Sequence, residues 1–215
     1  MLWLVLNLMK PMIDIDTLLC WGATYKQLKA GEIIFEEGSQ GRYFHQLVEG
    51  RVRWINVDED GREFIQKVIE EGESFGELPL LDDGPYVATA VADKESMVIR
   101  LPKEAFLQLL RENPQLMFAF TRLMTQRLRH KFVILKEVAC QDPERKVITI
   151  LNMYREDHPN ADCPKCKKGI RVGLTRQEIA DMVGLRVETV IRTIRRLQEK
   201  GSVEILRGKV YVRMS

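Results

Sequence analysis

Cysteine and histidine are scarce in this chain, which has 4 Cys and 3 His among 215 residues. Cys20 and Cys140 stand alone in helical or apolar surroundings, so the cysteines do not indicate a small secreted domain held by disulfides. With so few histidines, no nucleophile–base pair, phosphate-binding loop or HExxH metal motif can be recognised. We therefore predict that the protein is not an enzyme.

Long hydrophobic runs are also missing from the sequence. The apolar residues 1–9 form a segment far shorter than the roughly 20 residues that cross a bilayer. The segment lacks the basic leader and the small-residue cleavage site of a signal peptide. We expect it to pack on the body of the protein as a helix or strap. The sequence accordingly predicts a cytoplasmic protein without a membrane partner.

Charge is distributed unevenly, although the 33 basic and 31 acidic residues nearly cancel over the whole chain. From Cys140 onward 16 Lys/Arg accompany 10 Asp/Glu, whereas the preceding part has 17 against 21. The 45% hydrophobic residues suffice for two cores. This balance predicts an acidic sensing or partner-facing domain followed by a basic domain that meets a polyanion.

Residues 28–101 have the pattern of short β-strands separated by turns. Apolar and polar residues alternate with period two from Tyr43 onward, and Asp60-Gly61 is a strong hairpin signal. Glycines at positions 50 and 72 and the polar residues 93–95 mark further turns. Short strands at even spacing predict a β-barrel or jelly roll.

A change of pattern near Pro102 indicates that helices begin there. Pro102 suits the first position of a short helix, which Asn113-Pro114 ends. From Pro114 to about Val138 the apolar residues keep a helical spacing, which predicts a rod of about 37 Å. Part of this broad stripe can cover the barrel and a narrower seam can meet a partner helix, although an amphipathic core helix would show the same pattern. We predict that this helix forms a homodimer.

The stretch 174–200 has the signals of a helix-turn-helix. Thr175, followed three residues later by Glu178, is a capping box that starts one helix. Gly184 allows a sharp turn before a second helix near Arg186. The second helix should bury one face and expose a basic one. We expect buried Val190, Ile194 and Leu197, and exposed Glu188, Thr189, Arg192, Arg195 and Arg196.

The exposed residues of the second helix are of the types that read base pairs. In such a motif the N-terminal part of the second helix lies in the major groove, where arginine can bind guanine O6 and N7 and glutamate can accept from cytosine N4. Glu188 and Arg192 are four residues apart and share one face, so a surface salt bridge is the alternative. The capping box, the glycine turn and the basic face together favour double-stranded DNA as the partner.

Three segments of the chain resemble the Crp/Fnr family, that of the cyclic-AMP receptor protein and the fumarate-nitrate regulator. "LTRQEIADMVGLRVETVIRTIRRLQEKGSVEILRGKVYV" resembles the winged-helix end of that family, and "GEIIFEEGSQGRYFHQLVEGRVRW" and "GESFGELPLLDDG" resemble its ligand-binding barrel. The similarity implies an α+β fold with a cyclic-nucleotide-binding-like β jelly-roll barrel in residues 1–113, a dimerisation helix in 114–139 and a winged helix-turn-helix in 140–215. It implies a transcription regulator that acts as a homodimer on a palindromic site.

The resemblance also assigns roles to single residues of the DNA-binding part. Glu188 and Arg192 match the base-reading pair, which implies a GA core in the half-site. Arg176 and Thr189 match positions that meet the DNA backbone, and Gln177 is placed with them. Val187 stands where some relatives have a reading arginine, and Ile191 where a serine is frequent, so the outer bases of the half-site stay open.

The barrel keeps only part of the effector pocket that the resemblance implies. The pocket positions are Gly76, Glu77, Leu78, Val87, Ala88, Thr89, Lys131 and Phe132. Val87 and Ala88 replace the arginine and serine that hold the cyclic phosphate in cAMP-binding relatives, and such a charge-assisted contact is hard to replace. Lys131 and Phe132 replace the pair that meets the adenine, although Lys131 could supply a charge. We therefore expect an effector other than cAMP.

Other effectors are left open by the sequence. Cys20 is the only cysteine near the N-terminus, so a local iron–sulfur cluster lacks its four thiolates. A haem could use His45 or His130, but each is expected to be an ordinary, partly exposed histidine. An apolar pocket could instead take a hydrophobic or carboxylate ligand, or be filled by its own side chains.

The motif Cys163-Pro-Lys-Cys166 lies in a polar loop and allows three interpretations. The two thiolates with His158, and with Asp157 or Asp162, could hold zinc. The cysteines could form a redox-sensitive disulfide, or they could be two exposed thiols without a function. In position this loop resembles the surface through which some relatives touch RNA polymerase, which is the further partner expected.

A regulatory module of an enzyme or channel is the alternative function, because the same barrel occurs in such proteins. It would sense a small ligand, haem or the redox state. The helix-turn-helix pattern and the basic C-terminal half favour a DNA-binding regulator over this alternative.

Overall fold

The computed structural model describes residues 12–139, 142–157 and 169–213. Within these ranges eleven strands and seven helices follow one another. In chain order they are α1 (Ile15–Cys20), β1 (Thr24–Leu28), β2 (Ile33–Phe35), β3 (Tyr43–Glu49), β4 (Val52–Val57), β5 (Glu63–Ile69), β6 (Ser74–Phe75), α2 (Leu78–Asp82), β7 (Thr89–Ala92), β8 (Ser96–Pro102), α3 (Lys103–Glu112), α4 (Pro114–Ala139), α5 (Pro143–Asp157), β9 (Gly169–Arg171), α6 (Arg176–Val183), α7 (Val187–Glu199), β10 (Val203–Leu206) and β11 (Lys209–Arg213). The chain divides into two compact units, residues 1–123 and 124–215.

The first unit contains two four-stranded antiparallel sheets. Their strand orders are β1-β8-β3-β6 and β2-β7-β4-β5. Side chains alternate between the two faces of each strand, so one set of apolar residues from both sheets points to a shared interior. This confirms the predicted β jelly-roll barrel. The buried core consists of Leu28, Leu47, Val52, Ile69, Phe75, Ala90, Ala92 and Val98.

The turns of this unit follow the local sequence. The hairpin between β4 and β5 turns at Asp60-Gly61, as predicted, and the Asp58 carboxylate accepts from the backbone N–H groups of Asp60 and Arg62 at 3.0 and 2.8 Å. Residues 93–95 join β7 to β8, also as predicted.

A cluster of three phenylalanines attaches the helices to the outside of the barrel. Phe44 of β3 stacks on Phe106 of α3 with ring centroids 4.7 Å apart, and Phe120 of α4 meets both rings edge-on at 6.1 and 5.4 Å. All three side chains are buried. Such aromatic contacts add about 0.5–1.5 kcal/mol per pair beyond the burial of apolar area. The cluster therefore fixes the first turns of α4 on the sheet.

One local expectation was wrong, and two short helices were not predicted. Pro102 is not the first residue of a helix but the last of β8, with φ −55° and ψ 146°, because its backbone still pairs with Tyr43. Residues 78–82 form the short helix α2, with Pro79 in its first turn, where the missing N–H costs nothing. The helix α1 was not predicted. Its residue Asp14 accepts from the N–H of Thr17 as an N-cap.

The second unit is built from helices and a small sheet with the strand order β10-β11-β9. Its core joins α5, α6 and α7 to the sheet through side chains such as Val147, Ile179, Ile194 and Val212, all buried. The turn at Arg207-Gly208 joins the two C-terminal strands β10 and β11. The long helix α4 begins in the first unit and ends in the second. The domain division at 113 and 140 stays a prediction.

No helix in the described residues is both long and apolar enough to cross a membrane. Residues 1–9, which we expected to pack on the body of the protein, lie outside the described residues.

Candidate nucleic-acid interface and effector cavity

The first helix of the predicted DNA-binding motif begins with a capping box. The Thr175 hydroxyl accepts from the Glu178 N–H at 3.1 Å, and the Glu178 carboxylate accepts from the Thr175 N–H at 2.6 Å. Two backbone donors at the helix start are thus satisfied, which confirms the predicted motif. Glu178 is buried, so the box also closes this end of the core.

Gly184 forms the turn between the two helices. Its φ of 65° and ψ of 38° lie in the left-handed region, where glycine has no Cβ penalty. The next residue, Leu185, donates its N–H to the Ala180 carbonyl at 3.0 Å. Arg186 is extended and α7 begins at Val187, one residue after the predicted start. These backbone angles determine how α6 and α7 are oriented relative to each other in the helix-turn-helix.

The helix α7 is strongly two-sided. Val190, Ile194 and Leu197 are buried as predicted, and Thr193 is buried with them. The opposite face is exposed and basic. It carries Glu188, Arg192, Arg195 and Arg196, while Thr189 is only half-exposed.

The predicted DNA contacts lie at the start of both helices. Arg176 and Gln177 begin α6, and Gln177 donates to the Asp181 carboxylate at 2.8 Å. Burial lowers the pKa of Arg176 from its ordinary value, but an arginine stays charged in proteins. Glu188 and Arg192 are exposed one turn apart on α7, and in the described chain they form no ion pair with each other. The salt-bridge alternative is therefore not seen.

In the barrel, Gly76 occupies a position that excludes any side chain. Its φ is 75°, and a Cβ would lie 2.9 Å from the Phe35 ring and 3.2 Å from His45 Nδ1. Both contacts are closer than normal, so only glycine fits between the strand β6 and the rings behind it.

Eight residues line a cavity beside Gly76, which we call the barrel cavity. Four of them were predicted pocket residues: Gly76, Leu78, Val87 and Ala88. The others are Phe35, Trp54, Pro79 and Tyr86. The cavity volume is only about 10 Å³, which is close to the least that holds one water molecule.

The remaining predicted pocket residues do not line this cavity. The Glu77 side chain is completely buried and does not line the cavity, although its sequence neighbours Gly76 and Leu78 do. Thr89 accepts from the Glu37 N–H at 3.0 Å through its hydroxyl and so supports the strand β7. Lys131 and Phe132 are exposed on α4, in the second unit.

Two domain families of known proteins match the chain. Residues 25–113 match the cyclic nucleotide-binding domain, and residues 142–214 match the Crp-like helix-turn-helix domain. The chain belongs to the Crp/Fnr family. Its two domains are those of a DNA-binding transcription regulator and not of an enzyme.

Individual proteins show the same Crp/Fnr arrangement over most of their length. The cyclic AMP receptor protein of Thermus thermophilus is 29% identical over 184 residues, covering 85% of this chain and 81% of that protein. The cAMP-activated global transcriptional regulator CRP of Haemophilus influenzae is 26% identical over 206 residues, covering 92% and 88%. The structure of the c-di-GMP responsive global regulator CLP of Xanthomonas campestris has a TM-score of 0.72 at 18% identity and covers 93% and 98%. This last likeness concerns the fold alone.

The sequence of this Crp/Fnr protein did not predict that aromatic side chains form one wall of the barrel cavity. Phe35 and Tyr86 stack with ring centroids 3.7 Å apart and planes at 7°, and Trp54 completes the wall. Phe35 precedes a turn and Tyr86 follows one. Nothing in the neighbouring sequence distinguishes them from other aromatic residues near strands. The one available signal was Tyr86 next to the substituted position Val87.

His45 is buried in this family member and not partly exposed as expected. It packs between Phe35 and Phe75 at 5.6 and 5.2 Å, with 5% of its surface exposed. Burial lowers its pKa to about 3, assisted by the positive charges of Arg100 and Lys26. The surrounding rings leave no space for a porphyrin, so His45 does not fit as a haem ligand.

The neutral state of His45 predicts that stability falls in acid. The folded pKa of about 3 lies below the ordinary value of 6.5, so the unfolded chain takes up a proton first as pH falls. Stability is complete above pH 6.5 and is lost progressively toward pH 3. Between pH 6.5 and 5 the loss from this group should be about 2 kcal/mol.

Urea unfolding at pH 7.5 and 5.0 measures this loss for the native chain and for His45→Gln. We expect the variant to lose about 2 kcal/mol less than the native chain over this interval. An equal pH dependence in His45→Gln and the native chain would contradict the assignment.

Gly76→Ala should destabilise the first unit by about 2–4 kcal/mol, from the left-handed backbone and the contact with Phe35 together. Gly61→Ala is the control, since Gly61 has a φ of 78° but no neighbouring atom within 4 Å of the place that an added methyl group would take. The control should cost only about 1–2 kcal/mol. Urea unfolding of the two variants measures the difference, and equal costs would show that the Phe35 contact relaxes freely.

The predicted metal site cannot be placed on the fold. Cys163, Cys166 and His158 lie outside the described residues. Elsewhere, in the ranges that the structure describes, no cluster of three His, Cys, Asp or Glu side chains could hold a metal ion. Zinc binding by Cys163 and Cys166 stays a prediction.

Proposed function

We propose that the protein is a homodimeric regulator that reads a palindromic DNA site with α7 and responds to an effector other than cAMP. The observation that carries the proposal is the two-sided α7, with a buried apolar face and an outer face that exposes Arg192, Arg195 and Arg196. A helix of this kind, set by a capped first helix and a glycine turn, fits the major groove.

The base contacts are proposed for the first turns of α7. Arg192 would bind guanine O6 and N7 with its two N–H groups, and Glu188 would accept from cytosine N4. Their side chains are exposed and do not pair with each other, so binding DNA breaks no ion pair between them. Arg176, Gln177 and Thr189 would contact the backbone. The half-site would contain a GA core.

The homodimer is proposed to form along α4. Exposed apolar side chains recur on this helix with steps of four and three residues at Leu128, Phe132 and Leu135, exposed by 56, 63 and 65%. Phe118, 65% exposed, lies two heptads before Phe132. This is the spacing of a two-stranded coiled coil, in which a second copy covers the seam. Such an array on a 26-residue helix is too apolar to face water alone.

The effector is proposed to differ from cAMP because the phosphate-binding groups are missing. Val87 and Ala88 stand at the two key positions, and none of the eight residues lining the barrel cavity is charged. The relatives also differ in the ligand that their names give: one regulator is cAMP-activated and another is c-di-GMP responsive. A change of effector on this fold is therefore in keeping with its relatives.

A contact with RNA polymerase is proposed for the segment around Cys163 and Cys166, from the position of that segment in the sequence.

If Cys163 and Cys166 hold zinc, protein purified without added zinc should contain about one equivalent per chain, and Cys163→Ser should lose it. Elemental analysis measures both. Native protein that contains no zinc would contradict zinc binding by Cys163 and Cys166.

DNA binding by the full chain tests the proposed function. Selection from a random duplex pool should yield an inverted repeat whose half-sites lie about one helical turn apart. Affinity for this site should then fall steeply with salt, by about 10³–10⁵ between 50 and 200 mM if 6–10 phosphates are contacted. A pool that yields no repeat, or a fragment not retained at 50 mM salt, would contradict the proposal.

A further inference from the structure

One buried donor on the wall of the barrel cavity has no acceptor among the residues that the structure describes. Trp54 Nε1 is shielded from solvent, and none of the described residues accepts its hydrogen. Trp54 lines the same cavity as Gly76 and Ala88. A buried indole N–H normally finds a partner, because leaving it unpaired costs about 1–3 kcal/mol. The donor therefore marks a place where a ligand could supply an acceptor.

The Tyr86 ring forms part of the cavity wall. It lies parallel to Phe35, and a hydrogen bond joins its hydroxyl to the Arg42 backbone. The Tyr86 backbone is held separately, since its N–H donates to Ser39 O at 2.9 Å and its carbonyl accepts from the Gly38 N–H at 2.8 Å. The Tyr86 side chain is 5% exposed, so a ligand on the same face of Phe35 would have to displace its ring. The space vacated would be a flat slot against Phe35.

The residues that line the cavity offer no charge that could pair with an anion. All eight lining residues are neutral. Two cations on neighbouring elements are already engaged: Arg53 pairs with Asp93 and Glu63, and Lys103 binds Asp83 and the Pro79 carbonyl. Burying an unpaired negative charge in such a site is strongly unfavourable. A neutral ligand avoids this cost.

We propose that the barrel cavity binds a neutral, planar aromatic compound with one hydrogen-bond acceptor. The compound replaces the Tyr86 ring on Phe35 and accepts from Trp54 Nε1. This proposal names the class of the effector and in that respect rests on the proposed function, but binding itself does not require DNA.

Three small probes of nearly equal size test the proposal on the full chain. Acetophenone has the ring and the acceptor, α-methylstyrene has a methylene group in place of the oxygen, and benzoate is an anion. The indole N–H resonances of the three tryptophans are followed by NMR during titration, and Trp54→Phe identifies the signal of Trp54. We expect acetophenone to shift this signal saturably. α-Methylstyrene should bind about fivefold more weakly, and benzoate should not bind.

Tyr86→Ala tests the displacement of the ring. An open apolar cavity of about 150 Å³ binds benzene, so this variant should bind acetophenone about tenfold more tightly than the native chain. Tyr25→Ala removes an exposed tyrosine of the same unit and should leave the affinity unchanged. Unchanged affinity in Tyr86→Ala, an unmoved Trp54 signal, or equal binding of the three probes would each overturn the proposal. Operator binding is measured separately, so its absence would count against the proposed function and not against the cavity.

Discussion

Leu128→Glu should convert the dimer into monomers and lower the affinity for the full operator about 100- to 10,000-fold. In the proposed coiled coil Leu128 faces its own copy, so the substitution places two carboxylates together in the seam and removes apolar contact from both chains. A monomer reaches only one half-site and loses the high effective concentration of the second. Because Leu128 is 56% exposed in the single chain, the substitution should leave the fold of each unit intact.

Sedimentation velocity and a gel-shift titration on the same preparations measure the two effects of Leu128→Glu. Gln126→Glu is the matched control, since Gln126 is exposed on the same helix about 160° away around its axis. The control should stay dimeric and bind the operator as the native chain does. A dimeric Leu128→Glu protein with native affinity would place the dimer contact elsewhere.

Arg192→Ala should weaken operator binding by about 1–3 kcal/mol for each half-site that loses its contact with guanine. A palindrome contains two such contacts, so the loss at the full operator should be about twice as large when the half-sites act independently. Affinity for non-specific DNA should change little, since one charge among many phosphate contacts is lost. Discrimination at one base pair of the half-site should relax, because the bidentate contact with guanine is lost.

Titrations against the operator, a single-base variant of it and a non-specific duplex separate these effects. Arg192→Lys is the control that keeps the charge and loses the bidentate geometry. It should keep the non-specific affinity of the native chain but lose discrimination at that base pair. Unchanged operator affinity in Arg192→Ala would defeat the assignment of Arg192 as the base-reading residue.

The helix-turn-helix could be predicted from the sequence because its signals are local. Thr175 and Glu178 are three residues apart and bond to each other, and Gly184 needs no distant partner to adopt a positive φ. The burial of α7 follows from helical spacing alone, except for Thr193, whose polar side chain was not expected inside.

The barrel cavity could be predicted only in part, because its walls come from distant positions. Gly76, Leu78, Val87 and Ala88 were named through the family resemblance, and the structure brings them together. The stacking of Phe35 on Tyr86 joins residues 51 positions apart in sequence, and no periodicity reports such a pairing. The filled state of the cavity is therefore a tertiary property.

The burial of His45 was mispredicted for a related reason. Alternation along β3 indicates one exposed face, yet four consecutive residues, from Phe44 to Leu47, are buried. His45 shares the inner face of β3 with the core residue Leu47 and packs on Phe35 and Phe75. The other face, with Phe44 and Gln46, is covered by Phe106 and by Ile13, whose backbone bonds the Gln46 amide in both directions at 3.0 and 2.8 Å. Covering by a distant element converts a two-faced strand into a fully buried one.

The phenylalanine cluster also determines the smallest piece of the chain in which the barrel can fold with its core covered. β1 pairs with β8 across 76 residues, so the barrel closes only when the whole stretch from Thr24 to Pro102 is present. A fragment that stopped at residue 113 would close the barrel but leave Phe44 and Phe106 without Phe120, with two aromatic faces open to water. Such a fragment would tend to aggregate during expression. A fragment extended past the first turns of α4 would include Phe120, which covers the rings of Phe44 and Phe106.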